Sequence, residues 1–149
     1  MSLNQLLGGT GRKPYLDLTV NQVRTDRTLH PGEERFTQNV AGNVEVSYDK
    51  RTSVIIANVP GVTISLPLPP LSEVNEWLGM EKIILNIANQ DVTSTASDLN
   101  MFPTFTNVTL NQGIIPSTLC LRFALNPLDP TDLSQARWGL FMNQECTFS

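Results

Sequence analysis

The side chains that could do chemistry in this chain are few, and they do not assemble into a catalytic set. The one histidine, His30, stands between Leu29 and Pro31. A nucleophile activated by an imidazole base would have to use it. However, His30-Pro31-Gly32-Glu33 reads as a turn, which makes His30 a solvated turn residue. There is no HExxH, GxSxG or GK[ST] pattern. Gly8-Gly9-Thr10-Gly11-Arg12-Lys13 is superficially like a phosphate loop, but it follows no strand pattern and lacks the Lys-Ser/Thr pair, so it reads as a hinge. Two carboxylate pairs are close in sequence. Glu33-Glu34 on a strand would point to opposite faces and make a poor acid–base couple. Asp129 and Asp132 are accounted for by the start of a helical turn, with Asp129 capping and Pro130 at the first helical position.

The remaining candidates bind rather than react. A calcium loop needs several more oxygen ligands in a short span than this sequence supplies, so no metal and no cofactor are expected. Cys120 and Cys146 are the only cysteines. They could form one bridge, but neither sits in a metal-ligand or CxxC spacing, and reduced, buried or half-buried thiols are the plainer reading. Asn107-Val108-Thr109 is a formal glycosylation acceptor, without a secretion signal to give it weight. Trp77, Phe102 and Phe105 are candidates for an aromatic platform that stacks on a sugar ring, whereas Trp138, in a terminal strand, reads as core.

Elements that could position such residues are short and pleated. The clearest stretch is Thr52 to Pro70, TSVIIANVPGVTISLPLPP. Val62, Ile64, Leu66 and Leu68 alternate with Thr63, Ser65 and Pro67, the period of a strand with one buried face. Val54-Ile55-Ile56 precedes it across Asn58-Val59-Pro60-Gly61, where Pro and Gly suit a type II turn, so the pair predicts a hairpin. Further strands are expected through Val44–Tyr48, Glu81–Gln90, Thr104–Leu110 and Thr118–Leu125. A terminal strand should place Trp138, Leu140 and Met142 on one side and Phe141 on the other. A helical turn is expected at Ser72–Leu78, with Gly79 beyond its end. Residues 91–103 read as a polar loop with a short strand at Val92–Thr95.

The first part of the chain is different. Leu6-Leu7 before the glycines reads as a hydrophobic hook on a hinge. Tyr15 to Val23 alternates Leu16, Leu18 and Val20 with Tyr15, Asp17 and Thr19, a strand with no nearby partner, which could return to the body or pair with a neighbouring subunit. The expected fold is therefore all-β: a small antiparallel β-sandwich or jelly-roll-like barrel over residues 41–149, with residues 1–40 as an extended N-terminal arm carrying one isolated strand.

Composition narrows the function. The chain is 40% apolar but only 16% charged, below the usual ~25%, as expected of a domain that covers part of its surface with other subunits. Residues 1–40 hold five basic and four acidic groups and residues 41–149 hold five and ten, so the acidic body should repel phosphate backbones and nucleic acid is not an expected partner. No stretch approaches the ~20 apolar residues of a membrane helix, and MSLNQLLGGTGRK has no signal-peptide pattern, so folding in a cytoplasm and no membrane partner are expected.

Residues 44–142 resemble a small β-domain of virion structural proteins, found in phage fibre and head-decoration proteins and in capsid-surface proteins of large DNA viruses. The resemblance rests on the order of TSVII, VTISLP (Val62–Pro67), a connection ending in Gly79, KIILNIAN (Lys82–Asn89), VTLNQG (Val108–Gly113) and the closing RWGLF (Arg137–Phe141). It implies a threefold assembly located in the virion, with an amino-terminal segment fixing each subunit to the particle. The expected function is a non-enzymatic capsid cement, decoration or minor capsid subunit. Its partners would be the major capsid protein and its own copies, bound through Leu6, Leu7, Tyr15, Leu16, Leu18 and Val20. The alternative is a receptor- or carbohydrate-binding module at a fibre tip, using Trp77, Phe102 and Phe105. The 71–79 insertion and the 91–103 loop are longer than in that pattern.

Overall fold

The structure is a computed structural model, and it describes residues 32–149. The arm residues Leu6, Leu7, Tyr15, Leu16, Leu18 and Val20, the glycine hinge and His30 all lie outside the described residues. The body forms one compact unit beginning at Glu33. Residues 33–40, counted with the arm on sequence grounds, therefore belong to the body, where they supply its first strand.

The alternation of short apolar runs produces β1 (Glu33–Gln38), β2 (Gly42–Glu45), β3 (Thr52–Ala57), β4 (Val62–Ser65), β5 (Glu81–Asn86), β6 (Val92–Thr95), β7 (Asn107–Leu110), β8 (Ser117–Ala124), β9 (Arg137–Gln144) and β10 (Cys146–Phe148). They make two five-stranded sheets, ordered β1–β3–β5–β8–β9 and β2–β4–β6–β7–β10. One buried cluster is shared between the sheets: Ile55, Ile84, Leu119, Leu121, Phe123 and Trp138 come from the first, and Val44, Val62, Ile64, Val92, Val108 and Leu110 from the second.

The expected antiparallel arrangement holds for only half of the molecule. β1, β3 and β5 pair in parallel, as do β2, β4 and β6; the pairs made by β7, β8, β9 and β10 are antiparallel. The cause lies in the connections. Each of β1, β3 and β5 leads directly to a strand of the opposite sheet, so the chain returns to the first sheet always running the same way. Glu33 lies beside Thr52 and Gly42 beside Val62, giving coils of about 19 or 20 residues. The third coil is lengthened between β4 and β5 by a 3₁₀ turn (Leu71–Glu73) and the one-turn helix α1 (Val74–Trp77).

The hairpin expected between β3 and β4 is thus absent. Its turn is present, with Gly61 at φ +84°, but the turn is a corner between sheets rather than the end of a ladder. Ile55 and Ala57 before it, and Val62 and Ile64 after it, are all buried; the corner folds these apolar faces toward each other. Successive corners are tied by Asn58 N–H to the Gln38 carbonyl (2.9 Å), Gly42 N–H to the Gly61 carbonyl (3.1 Å) and Asn58 Nδ2 to Asn39 Oδ1 (2.8 Å).

Two further expectations are corrected. The turn after β8 is capped by Asp132, which accepts from Ser134 N–H (3.0 Å), and not by Asp129. In β9 the register slips between Cys120 and Leu121, so Leu140 lies opposite Leu121 and Met142 opposite Cys120. Leu140 and Met142 therefore do not share a face. Trp138 is buried, as expected of a core residue. β10 is formed by a segment for which the sequence reading proposed no strand.

Candidate functional site

The densest cluster of titratable and hydroxyl groups lies where the first three strands of the first sheet meet. Glu34 of β1, Ser53 of β3 and Lys82 of β5 all point inward, beside Ser47 of the loop between β2 and β3. Lys82 is fully buried, and its ammonium donates to the carbonyls of Ser47 (2.7 Å) and Lys50 (2.7 Å) and to Ser53 Oγ. Glu34 accepts from Ser47 N–H (2.7 Å), Ser47 Oγ (2.8 Å) and Ser53 Oγ, with the Lys82 ammonium at 3.6 Å.

Burial lowers the Lys82 pKa to about 8, and Glu34 restores part of the shift. Burial alone would raise Glu34, but the bonds from Ser53 and Ser47 and the Lys82 charge together hold it below the usual carboxylate range. A lysine of lowered pKa touching a serine hydroxyl has the composition of a nucleophilic Ser–Lys pair. The geometry serves a different purpose. All three ammonium protons are engaged, the Ser53 hydroxyl donates to Glu34, and both Ser53 and Lys82 are closed off from solvent. The cluster is a staple that fastens β1, β3, β5 and the loop before β3 to one another. The sequence reading missed it. Its signal was parity: Lys82 falls in phase with Ile84 and Asn86, both buried.

The aromatic candidates are not brought together. Trp77 is half-buried, donates its indole N–H to Glu73 Oε1 (3.2 Å) and meets Tyr48 edge-on at 5.4 Å. Phe105 packs edge-on against Phe148 at 4.8 Å. Phe102 lies over Gly139. An open groove of about 640 Å³ is lined by Phe105, Thr95, Ser97, Asn100, Met101 and Arg137 among others, but by neither Trp77 nor Phe102. Cys120 and Cys146 are free thiols; burial raises both pKa values, that of Cys146 to about 11, so neither is a ready nucleophile at neutral pH. Among the described residues no group of three His, Cys, Asp or Glu side chains could hold a metal ion.

The most unusual surface is the edge formed by β9. It is an outermost strand of eight residues with Leu140 40%, Phe141 47% and Met142 58% exposed in succession. Near its start the edge is closed: Trp138 N–H donates to the Asn100 carbonyl (3.0 Å) and the Trp138 carbonyl accepts from Phe102 N–H (2.9 Å). Beyond that bridge no described strand lies alongside. Phe141, at the register slip, sits under the Arg122 guanidinium at 4.0 Å. Arg122 also reaches Glu81 (3.1 Å), which takes a second bond from Arg51 (2.9 Å). A long edge strand with adjacent exposed apolar residues is a template for pairing with another chain.

Comparison with protein-family models, curated proteins and solved structures finds no match to this chain.

Proposed function

We propose that this chain is a non-enzymatic structural subunit of a virion: a capsid cement, decoration or minor capsid protein. In this reading it self-associates, most simply as a trimer, and is assembled in the host cytoplasm. Residues 1–32 act as an extended arm that fixes the β-body to neighbouring capsid subunits. The observation that carries the reading is the β9 edge, where three consecutive apolar side chains and unpaired main chain are presented together. Three exposed side chains of this size would lose several kcal/mol of transfer free energy to water if left uncovered, at ~25 cal/mol per Å². The low charge content and the alternating pattern at Tyr15–Val23 support the same reading. Strand addition supplies main-chain hydrogen bonds and side-chain register, and joining arm to body makes the second contact intramolecular.

The test is mass spectrometry of purified particles from the source, with light scattering on the full chain. We expect the chain in near-stoichiometric ratio to capsid protein and an oligomer in solution. Its absence from particles would end this reading.

The groove beside Phe105 favours a second reading, a receptor- or glycan-binding module. Glycan-array binding abolished by Phe105→Ala would establish that role; an array without binders would remove it.

A further inference from the structure

We infer that the β9 edge from Leu140 to Gln144 is the receptor for the arm strand Tyr15–Val23 of a neighbouring copy of this same chain. The inference rests on the arm reading above and names its partner. The register slip is the first observation. Opposite Leu121, which is buried, Leu140 lies on the core-facing side of the first sheet, yet it is 40% exposed. Its counterpart in the second sheet, β10, has only three residues and pairs with β7 alone. The shared core is therefore open along β9, and a strand laid there would continue the core rather than decorate a finished surface.

The occupant must bring one apolar face and a matching polar one. Tyr15–Val23 alternates Leu16, Leu18 and Val20 with Tyr15, Asp17 and Thr19. The first set extends the face of Leu140. The second falls on the side that carries Arg122 and Phe141, where the single carboxylate of the segment, Asp17, meets a cationic neighbour. Pairing begins just past the bridge at Trp138, so β9 is free where the new ladder forms.

Chain length favours a neighbour as the donor. The described body starts from a turn at Gly32 that leads into β1, and β1 and β9 are opposite edges of one sheet. A strand added outside β9 lies five spacings of ~4.8 Å from β1, about 24 Å before any offset along the strands. Residues 24–32 span at most about 30 Å fully drawn out, so the arm could reach the edge of its own sheet only with this linker nearly straight, which favours a neighbour's edge. Donation between copies has no such limit. Donor and acceptor surfaces differ, so the contact is head-to-tail and, where its rotation closes, gives a small ring, of which a trimer is one.

Light scattering on full-length chains tests this with two variants. Leu16→Asp with Leu18→Asp spoils the donor; Leu140→Lys with Met142→Lys spoils the acceptor and changes only exposed residues. Each alone should lose assembly by at least tenfold in concentration while keeping wild-type circular dichroism. Mixed in equal amounts they should form a heterodimer and nothing larger, because one intact arm then meets one intact edge. Should the acceptor variant melt early, the milder Leu140→Ser, on the face that meets the arm's apolar side chains, replaces it. A monomeric wild type, variants that assemble like wild type, or a mixture that stays monomeric would each overturn the inference. Variants that assemble normally in a chain still found in particles would refute this pairing and leave the structural-subunit reading intact.

Discussion

At the residue scale the decisive group is Lys82. A fully buried ammonium is stable only because three acceptors and Glu34 surround it. Lys82→Met removes the charge but leaves the Ser47 and Lys50 carbonyls without their donor and Glu34 without its counter-charge. We expect a loss of ~3–5 kcal/mol in urea unfolding, part of which returns when Glu34→Gln is added. The same pair sets the pH profile. Glu34 titrates lower in the folded chain than its ordinary value near 4.5, so its contribution is present above pH 4.5 and is lost as the pH falls through the folded value. Lys82 titrates at about 8 when folded against 10.5 when free; the unfolded chain then holds more protons between those values, and stability rises with pH across that window. Urea midpoints should fall on acidification below pH 4.5 and climb from pH 8 to about 9, above which the raised Cys120 and Cys146 thiols oppose the Lys82 gain, and the climb should vanish in Lys82→Met. Parity with Ile84 and Asn86 marked Lys82 as inward-facing, but its partners Glu34, Ser47 and Ser53 were not legible, because their adjacency depends on the coil.

At the element scale the corner at Gly61 governs the topology. Its φ of +84° suits glycine, and a methyl group there would meet Ala41 Cβ at 3.1 Å. Gly61→Ala should therefore cost ~1–3 kcal/mol, read as a lowered urea midpoint with an unchanged slope. The turn itself was legible from Pro60-Gly61, and so was the phase of β4: Ile64 and Leu66 are buried as the alternation requires. Which strands pair was not legible. A Pro-Gly turn between two apolar runs has the same local chemistry whether the runs hydrogen-bond edge to edge or face each other across a core. The distinguishing signal was a repeat, Asn39-Val40-Ala41-Gly42 against Asn58-Val59-Pro60-Gly61, which marks equivalent corners of successive coils. β9 failed for a related reason: alternation predicts a face only where no bulge intervenes, and the register slip beside Cys120 turned Leu140 and Met142 to opposite sides.

At the scale of the whole molecule, the two ends of the first sheet are unlike. The β1 end is held by the Glu34–Lys82 staple. The β9 end leaves apolar side chains uncovered, so an assembly built there is driven by apolar burial and main-chain hydrogen bonds rather than by ion pairs. That has a measurable consequence. The Debye length falls from ~10 Å at 0.1 M salt to ~3 Å at 1 M, enough to weaken any contact that depends on exposed charges such as Glu81 with Arg51 and Arg122. Sedimentation velocity of the full chain should show the oligomer persisting from 0.1 to 1 M sodium chloride and loosening instead on cooling, as apolar association weakens at low temperature. Dissociation by salt, with no response to cooling, would move the interface off the apolar stretch of β9 and onto exposed ion pairs such as Glu81 with Arg51 and Arg122 or Glu33 with Arg35.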